Sequence, residues 1–286
     1  MKKYFYHGCV LAAGIMWGLI GIFNRNLMDA GLSVGGIVFV RNVGSLVILG
    51  LLFLLTDRSV FKIRLRHLPY FLGTGIISVL LFTLCYFSCQ KLCSLAVAAV
   101  LLYTAPAFVV ILSAVLWKDK ITKSKLIALL LAFLGCTLVT GLWSGDLTMT
   151  AWGAVMGIAS GFFYALYSIF GHYALKYYKP FTMTFYTFAV AGVGALFVVK
   201  PAELAATLSQ PGMIWMALGL VIISTVGPYL CYTKGLAGLD SSKAAILASI
   251  EPVTAALVGV LAFGEPMSVA VILGLLCILG SVYILR

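Results

Sequence analysis

Charge is what this sequence has least of. Asp, Glu, Lys and Arg make up 9% of the 286 residues, where a soluble domain carries about 25%. A water-soluble globular core is thereby excluded. Acidic residues are the scarcest: 8 Asp and Glu stand against 19 Lys and Arg, a net charge of +11. Signatures of chemistry are missing as well. There is no HExxH, no GxSxG, no pair of transmembrane aspartates and no glycine-rich phosphate loop. An intramembrane hydrolase needs a nucleophile with a base in reach, and no such pair stands out, so no residue is assigned as catalytic. The short, charge-poor loops offer no nucleotide site, which argues against ATP-driven pumping by this chain alone. The alternating segments of roughly ten residues that build a transmembrane β-barrel are also absent.

What is present is apolar. Hydrophobic residues reach 63%, and runs near the roughly 20 residues needed to cross a bilayer follow one another almost without pause. They predict spans at 5–24, 33–55, 68–90, 94–117, 124–144, 150–172, 180–199, 212–234, 241–263 and 267–285. The expectation is an all-α membrane protein of ten transmembrane helices, forming one membrane domain over 1–286. Met1-Lys2-Lys3 before an apolar run superficially resembles a secretory signal. That run is span-length and recurs at 150–172, so it is expected to be a retained first helix.

With the N-terminus inside, one side receives Lys2, Lys3, Arg58, Lys62, Arg64, Arg66, Lys118, Lys120, Lys123, Lys125, Lys176, Lys179, Lys234 and Arg286. The other receives Arg25, Lys91 and Lys200. This asymmetry follows the positive-inside rule and predicts both termini in the cytoplasm. It also assigns the positive charge to anionic membrane lipids rather than to nucleic acid.

The chain states its plan twice. Leu84-Cys85-Tyr86 recurs as Leu230-Cys231-Tyr232, a shift of 146, and the same shift carries Gly73 to Gly219, Ser78 to Ser224, Ala98 to Ala244 and Pro106 to Pro252. With one residue of slippage, Ala12, Gly14, Leu19, Ile22 and Phe23 match Ala159, Gly161, Leu166, Ile169 and Phe170. The copies occupy 1–145 and 146–286 and meet at the polar turn Ser144-Gly145-Asp146. Five spans per copy make the second copy inverted relative to the first. Inverted repeats build alternating-access transporters with a site near the midplane.

Comparing the copies separates scaffold from chemistry. Pro106 and Pro252 each remove a backbone donor inside a span and are candidate hinges or kinks. Charges inside spans cost several kcal/mol unless paired or hydrated, and two break the repeat: Arg41, with Phe188 near its equivalent, and Glu251, with Ala105. Glu251 reads either as a substrate-amine or proton-binding carboxylate or as a structural partner of Arg41 or Lys243. Arg41 reads as a grip on a substrate carboxylate or as a structural tie. Lys243 is placed to snorkel to the surface. Aromatics with polar tips, Trp17, Tyr86, Tyr103, Tyr164 and Tyr232, are candidate cavity walls, and Trp17/Tyr164 and Tyr86/Tyr232 are repeat equivalents. The seven cysteines act as small apolar residues. Cys85, Cys89 and Cys93 share a helix face, but no His or carboxylate accompanies them, so neither a metal nor another cofactor is expected.

Trp17-Gly18, Arg41, Pro106 and Asp119 in the first half resemble the EamA branch of the drug/metabolite transporter superfamily. Ser242-Lys243-Ala244-Ala245, Glu251-Pro252-Val253 and Gly264-Glu265 resemble its last repeat. Lys118-Asp119-Lys120 departs from the Gly-Glu usual at that helix end. The resemblance implies a ten-helix inverted repeat around a central cavity. It also implies movement of metabolites, often amino acids, across a prokaryotic plasma membrane, frequently outward.

The expected activity is a secondary transporter or facilitator exporting a small metabolite such as an amino acid. Trp17, Arg41, Tyr86, Tyr103, Tyr164, Tyr232 and Glu251 are its substrate-binding candidates. Glu251 is the coupling candidate, leaving proton coupling open. An importer, a broad drug extruder, a membrane enzyme and a lipid-interacting scaffold are the alternatives. Substrate, direction, coupling ion and oligomeric state are not legible in the sequence.

Overall fold

The computed structural model describes residues 2–93, 95–142, 149–264 and 267–285. The midpoint turn Ser144-Gly145-Asp146 and the motif residue Glu265 lie outside them. The described residues are helical throughout and contain no strand, only an isolated bridge between Cys93 and Met149. Seven helices are long and apolar enough to cross a membrane: α1 (Tyr4–Asp29), α2 (Val34–Thr56), α3 (Leu65–Leu92), α4 (Val97–Trp117), α6 (Ala151–Ala174), α9 (Met213–Leu236) and α10 (Ser241–Phe263). Between and after them run α5 (Lys123–Val139), α7 (Pro180–Ala195), the short α8 (Pro201–Leu208) and α11 (Val269–Ile284).

Local chemistry sets several of these ends. The hydroxyls of Ser33, Thr122, Thr150 and Ser268 each accept a hydrogen bond from a backbone N–H in the first turn of α2, α5, α6 and α11, satisfying a donor the helix cannot. Three expected spans come out shorter: α5 is 17 residues, α7 and α11 are 16. α1 comes out longer, because helical backbone continues past the expected loop residue Arg25 to Asp29 and buries Leu27 completely. Arg25 caps that extension with its guanidinium 4.4 Å from the centre of the Phe263 ring.

The two halves interlock reciprocally. α1 packs on α9 and α10, α6 packs on α3 and α4, α2 packs on α7, and α5 packs on α11. The irregularities of the helices repeat as well. α3 widens into a π-helical stretch at Gly73–Leu80, and α9 does so at Ile222–Val226, within the equivalent stretch. α4 breaks at Tyr103-Thr104, and α10 breaks at Ser249-Ile250, 146 residues on.

The breaks have a common cause. Proline cannot donate, and its ring crowds the carbonyl four residues earlier. For Pro106 that carbonyl is Leu102, and for Pro252 it is Ala248. The chain tightens around both: Thr104 N–H donates to the Leu101 carbonyl at 3.2 Å and Ile250 N–H to the Leu247 carbonyl at 3.3 Å. The freed carbonyls then meet a glycine of the opposite half. A Cβ on Gly161 of α6 would lie 3.2 Å from the Leu102 oxygen, and one on Gly14 of α1 would lie 2.9 Å from the Ala248 oxygen. Any side chain at either position would push the helices apart, so the small-residue pattern and the prolines serve one contact.

Most of the basic loop residues gather at one end, here called the basic end. There Lys125 reaches Asp240 at 3.6 Å and Lys179 reaches Asp57 at 3.7 Å. Hydrogen bonds from the Ser59 hydroxyl and amide, with Lys179 nearby, hold the Asp57 carboxyl below the usual carboxylate range. The Tyr178 hydroxyl accepts from the Arg64 amide at 2.9 Å and lies 2.8 Å from His67 Nδ1. At the opposite end the Gln210 amide donates to the Ala30 carbonyl at 2.9 Å.

Lys118 ends α4 with φ +57°, where Gly264 ends α10 with φ +67°. A lysine is strained in this left-handed region and a glycine is not. Lys118→Gly is therefore expected to stabilise the protein by about 1 kcal/mol, read as a higher melting temperature in detergent. Gly161→Val and Gly14→Val should each destabilise by about 1–3 kcal/mol through overpacking. Gly8→Val, where a Cβ meets nothing within 4 Å, should not.

Candidate functional site

The interlocked halves leave a cavity of about 880 Å³ that begins near the middle of the helices and opens at the end opposite the basic one. Its mouth is marked by Arg25, Asp29, Gln90, Thr140 and Phe263. Two helical stripes supply much of its wall. On α1, Trp17, Gly21, Asn24 and Met28 recur at three- and four-residue spacing, and on α3, Phe82, Tyr86 and Gln90 recur every four, so each set shares one helix face.

Of the expected site residues, Trp17, Arg41, Tyr86, Tyr103, Tyr164 and Glu251 all line this cavity, together with Pro252. Tyr232 does not. It is 4% exposed and lies beneath the cavity floor, its hydroxyl 2.8 Å from Ser168 Oγ. Pro106 is buried in α4, away from the wall. Lys243 is likewise off the wall, nearer the basic end of α10. His172 stacks on Trp117 with ring centres 3.9 Å apart, toward the basic end. The cysteine stripe of α3 packs against α6: a Cβ on Gly153 would meet Cys93 Sγ, and one on Gly157 would lie 3.0 Å from Cys89 Sγ. No group of three or more metal-ligating side chains occurs among the described residues.

The break in α10 gives Glu251 its setting. Helix resumes at Glu251, so the carboxylate stands in the first turn of a new helical segment, where the helix dipole favours negative charge. It is half-buried on the cavity wall. Arg41 projects from α2 and is only 7% exposed, yet its Nε has no hydrogen-bond partner among the described residues. The charges of Arg41 and Glu251 interact through space, but no salt bridge joins them. Buried guanidinium groups normally have every donor satisfied. This one faces a cavity instead, with Tyr229 and Tyr164 as its other electrostatic neighbours.

The floor is aromatic. Trp17 lies edge-on to Tyr229 with ring centres 5.4 Å apart, and 6.3 Å from its repeat equivalent Tyr164. Phe82 meets Tyr164 at 5.2 Å, and Phe188, the counterpart of Arg41, backs Tyr229 at 5.0 Å. Edge-to-face pairs of this kind contribute about 0.5–1.5 kcal/mol each, so the rings brace one another across the floor.

Sequence reasoning passed over Phe82, Gln90, Asn24 and Thr140, and it counted Tyr229 among the polar-tipped aromatics of the spans without placing it in the site. The four-residue spacing of Phe82, Tyr86 and Gln90 was a usable signal. Tyr229 is the equivalent of Thr83 at the shift of 146, and both line the cavity. Asn24 likewise follows Trp17 at helical spacing, whereas for Thr140, at the end of α5, the sequence carries no comparable sign.

Known proteins agree with this architecture. The model of the EamA-like transporter family matches residues 5–141 and 151–286. An uncharacterized transporter of Archaeoglobus fulgidus is 32% identical over 86% of this chain and 89% of its own length. An uncharacterized inner membrane transporter of Salmonella typhimurium, YicL, is 25% identical over 96% of this chain and 93% of its own. The pseudopaline exporter CntI of Pseudomonas aeruginosa is 26% identical over 74% and 75%. A crystal structure 17% identical in sequence superposes with a TM-score of 0.78, covering 98% of this chain and 95% of that one, which shows a shared fold.

A buried guanidinium with an unsatisfied donor costs stability. Arg41→Met is expected to leave the protein at least as stable as the wild type, read as an unchanged or higher melting temperature in detergent. A marked fall in melting temperature would instead identify Arg41 as a structural tie.

Proposed function

Because this chain belongs to the EamA-like transporter family, a family of multi-pass membrane transporters, we propose that it is a secondary transporter or facilitator exporting a small metabolite, an amino acid or related compound, across the plasma membrane. The observation that carries the reading is the cavity itself. It is open at one end and floored by rings, and inside the mouth marked by Arg25 and Asp29 it holds the Glu251 carboxylate and the Arg41 guanidinium, whose Nε has no hydrogen-bond partner among the described residues. Those two charges suit the carboxylate and the amine of a zwitterion. In this reading Arg41 takes the carboxylate, and Glu251 takes the amine or a coupled proton. Trp17, Tyr86, Tyr103 and Tyr164 form the walls, with Tyr232 meeting the solute after the path has switched.

The mechanism is alternating access between two inverted five-helix repeats, 1–145 and 146–286, ten transmembrane helices in all, with both termini in the cytoplasm. The reciprocal packing of α1 and α6 and the matched breaks support it. So does the unequal fate of equivalent residues: Tyr86 lines an open cavity while Tyr232 is sealed. Exchanging those roles is what switching would do, with Pro106 and Pro252 as the pivots. Outward transport draws support from the pseudopaline exporter among the relatives. A broad extruder is the second reading, because about 880 Å³ lies in the range that accommodates drug-sized solutes.

Uptake and counterflow in proteoliposomes, with an amino-acid panel and a set of amphipathic drugs, decide between these readings. Saturable counterflow of a zwitterionic solute is expected, and no flux of any solute would overturn transport. Run with and without a pH gradient, the wild type should respond to pH while Glu251→Gln loses that response. Unchanged flux and pH dependence in Glu251→Gln would remove the coupling role.

A further inference from the structure

Beneath the cavity floor lies a second, partly enclosed space of about 10 Å³. Trp17, Phe82, Tyr164 and Tyr229 line both spaces. The barrier between the open cavity and the interior beyond it is therefore a single layer of side chains. The far side of that layer has a different chemistry. Its remaining walls are Ser78, Tyr167, Ser168 and Tyr232, all hydroxyl-bearing and none charged.

A packing void in a membrane protein needs no hydroxyls, and an empty apolar cavity stays dry. This one has hydroxyl-bearing side chains among its rings and is near the roughly 10–15 Å³ that a single water requires. Its hydroxyls are held in place from behind. Tyr232 Oη lies 2.8 Å from Ser168 Oγ, and Tyr167 Oη lies 2.7 Å from Thr233 Oγ1. Ser78 belongs to the π-helical stretch of α3, a widened turn of the kind that recurs at functional sites. The chamber is also roofed and walled by both halves: α1 and α3 come from the first, α6 and α9 from the second. Relative movement of the halves would thus change its volume directly.

We propose that Trp17, Phe82, Tyr164 and Tyr229 are the gate of the translocation path, and that the hydroxyl chamber beneath is a second subsite, which takes a neutral hydrogen-bonding group of the solute once the gate parts. This rests on the transport reading. It adds a division of labour: charge is held above the rings by Arg41 and Glu251, and uncharged hydroxyls line the chamber beneath them.

Sided labelling of engineered cysteines with a membrane-impermeant methanethiosulfonate tests this without knowing the solute. In a background with the seven native cysteines replaced, Gln90→Cys reports the open cavity and Ser168→Cys the chamber. Gln90→Cys should react from one face of the membrane and Ser168→Cys from the other. Adding Phe82→Ala, or separately Tyr229→Ala, should make Ser168→Cys react at least tenfold faster from the Gln90 face. Retained labelling of Gln90→Cys in each variant certifies its fold. Two results overturn the gate: reaction of Ser168→Cys from the Gln90 face with all four rings in place, or no reaction from either face after a ring is removed. A chain with the expected labelling but no flux in proteoliposomes would fail as a transporter and keep its gate; one with flux but a leaky septum would lose the gate alone.

Discussion

The contact between a glycine and a proline-broken helix, made once in each direction between the halves, is the constraint on which the rest depends. In a membrane there is no hydrophobic force to drive one helix against another, so association relies on close packing and on satisfying backbone polar groups. Pro106 and Pro252 each free a carbonyl inside a span. Gly161 and Gly14 bring a bare backbone against those carbonyls, where short Cα–H contacts offer partial compensation. Tight packing and backbone satisfaction are thus met at the same point. Because the contact lies between halves, it also fixes how α1 and α6 cross their partners, and so where the cavity forms.

The site follows from that arrangement. Breaking α10 creates a helix start at depth, and Glu251 occupies it. Seating α1 against the break brings Trp17 to the floor of the same cavity. Arg41, on a helix that packs in the outer layer with α7, supplies the opposite charge without closing on Glu251. An ion pair that collapsed would be more stable and less useful. Held apart among rings, the two charges both face the cavity. The dual role of the ring cluster, floor above and roof below, is a consequence of its being one residue thick.

The duplicated pattern made much of this legible. Lipid allows few backbone solutions, so apolar run length identified most helices, and the shift of 146 correctly paired the two breaks. The departures from the repeat, Arg41 and Glu251, both proved to face the cavity. Where expectation and structure part, the causes are local. α1 outruns its apolar segment because Leu27 buries and Arg25 finds Phe263. α5, α7 and α11 stop short of the apolar runs that announced them. Tyr232 was grouped with Tyr86 because their sequence contexts match, but a cavity open at one end treats equivalent residues differently.

The sequence by itself determined the medium, the helical content and the paired kinks, since each follows from hydrophobicity, run length and the missing N–H of proline. It also marked which residues are spared from scaffold duty. Only the tertiary structure decided which end is open, that Arg41 Nε finds no hydrogen-bond partner among the described residues, and that one aromatic layer separates a charged cavity from a hydroxyl chamber. These are matters of which residue meets which across the halves. Two repeats with the same internal pattern can tilt either way, and the pattern within each is blind to that choice.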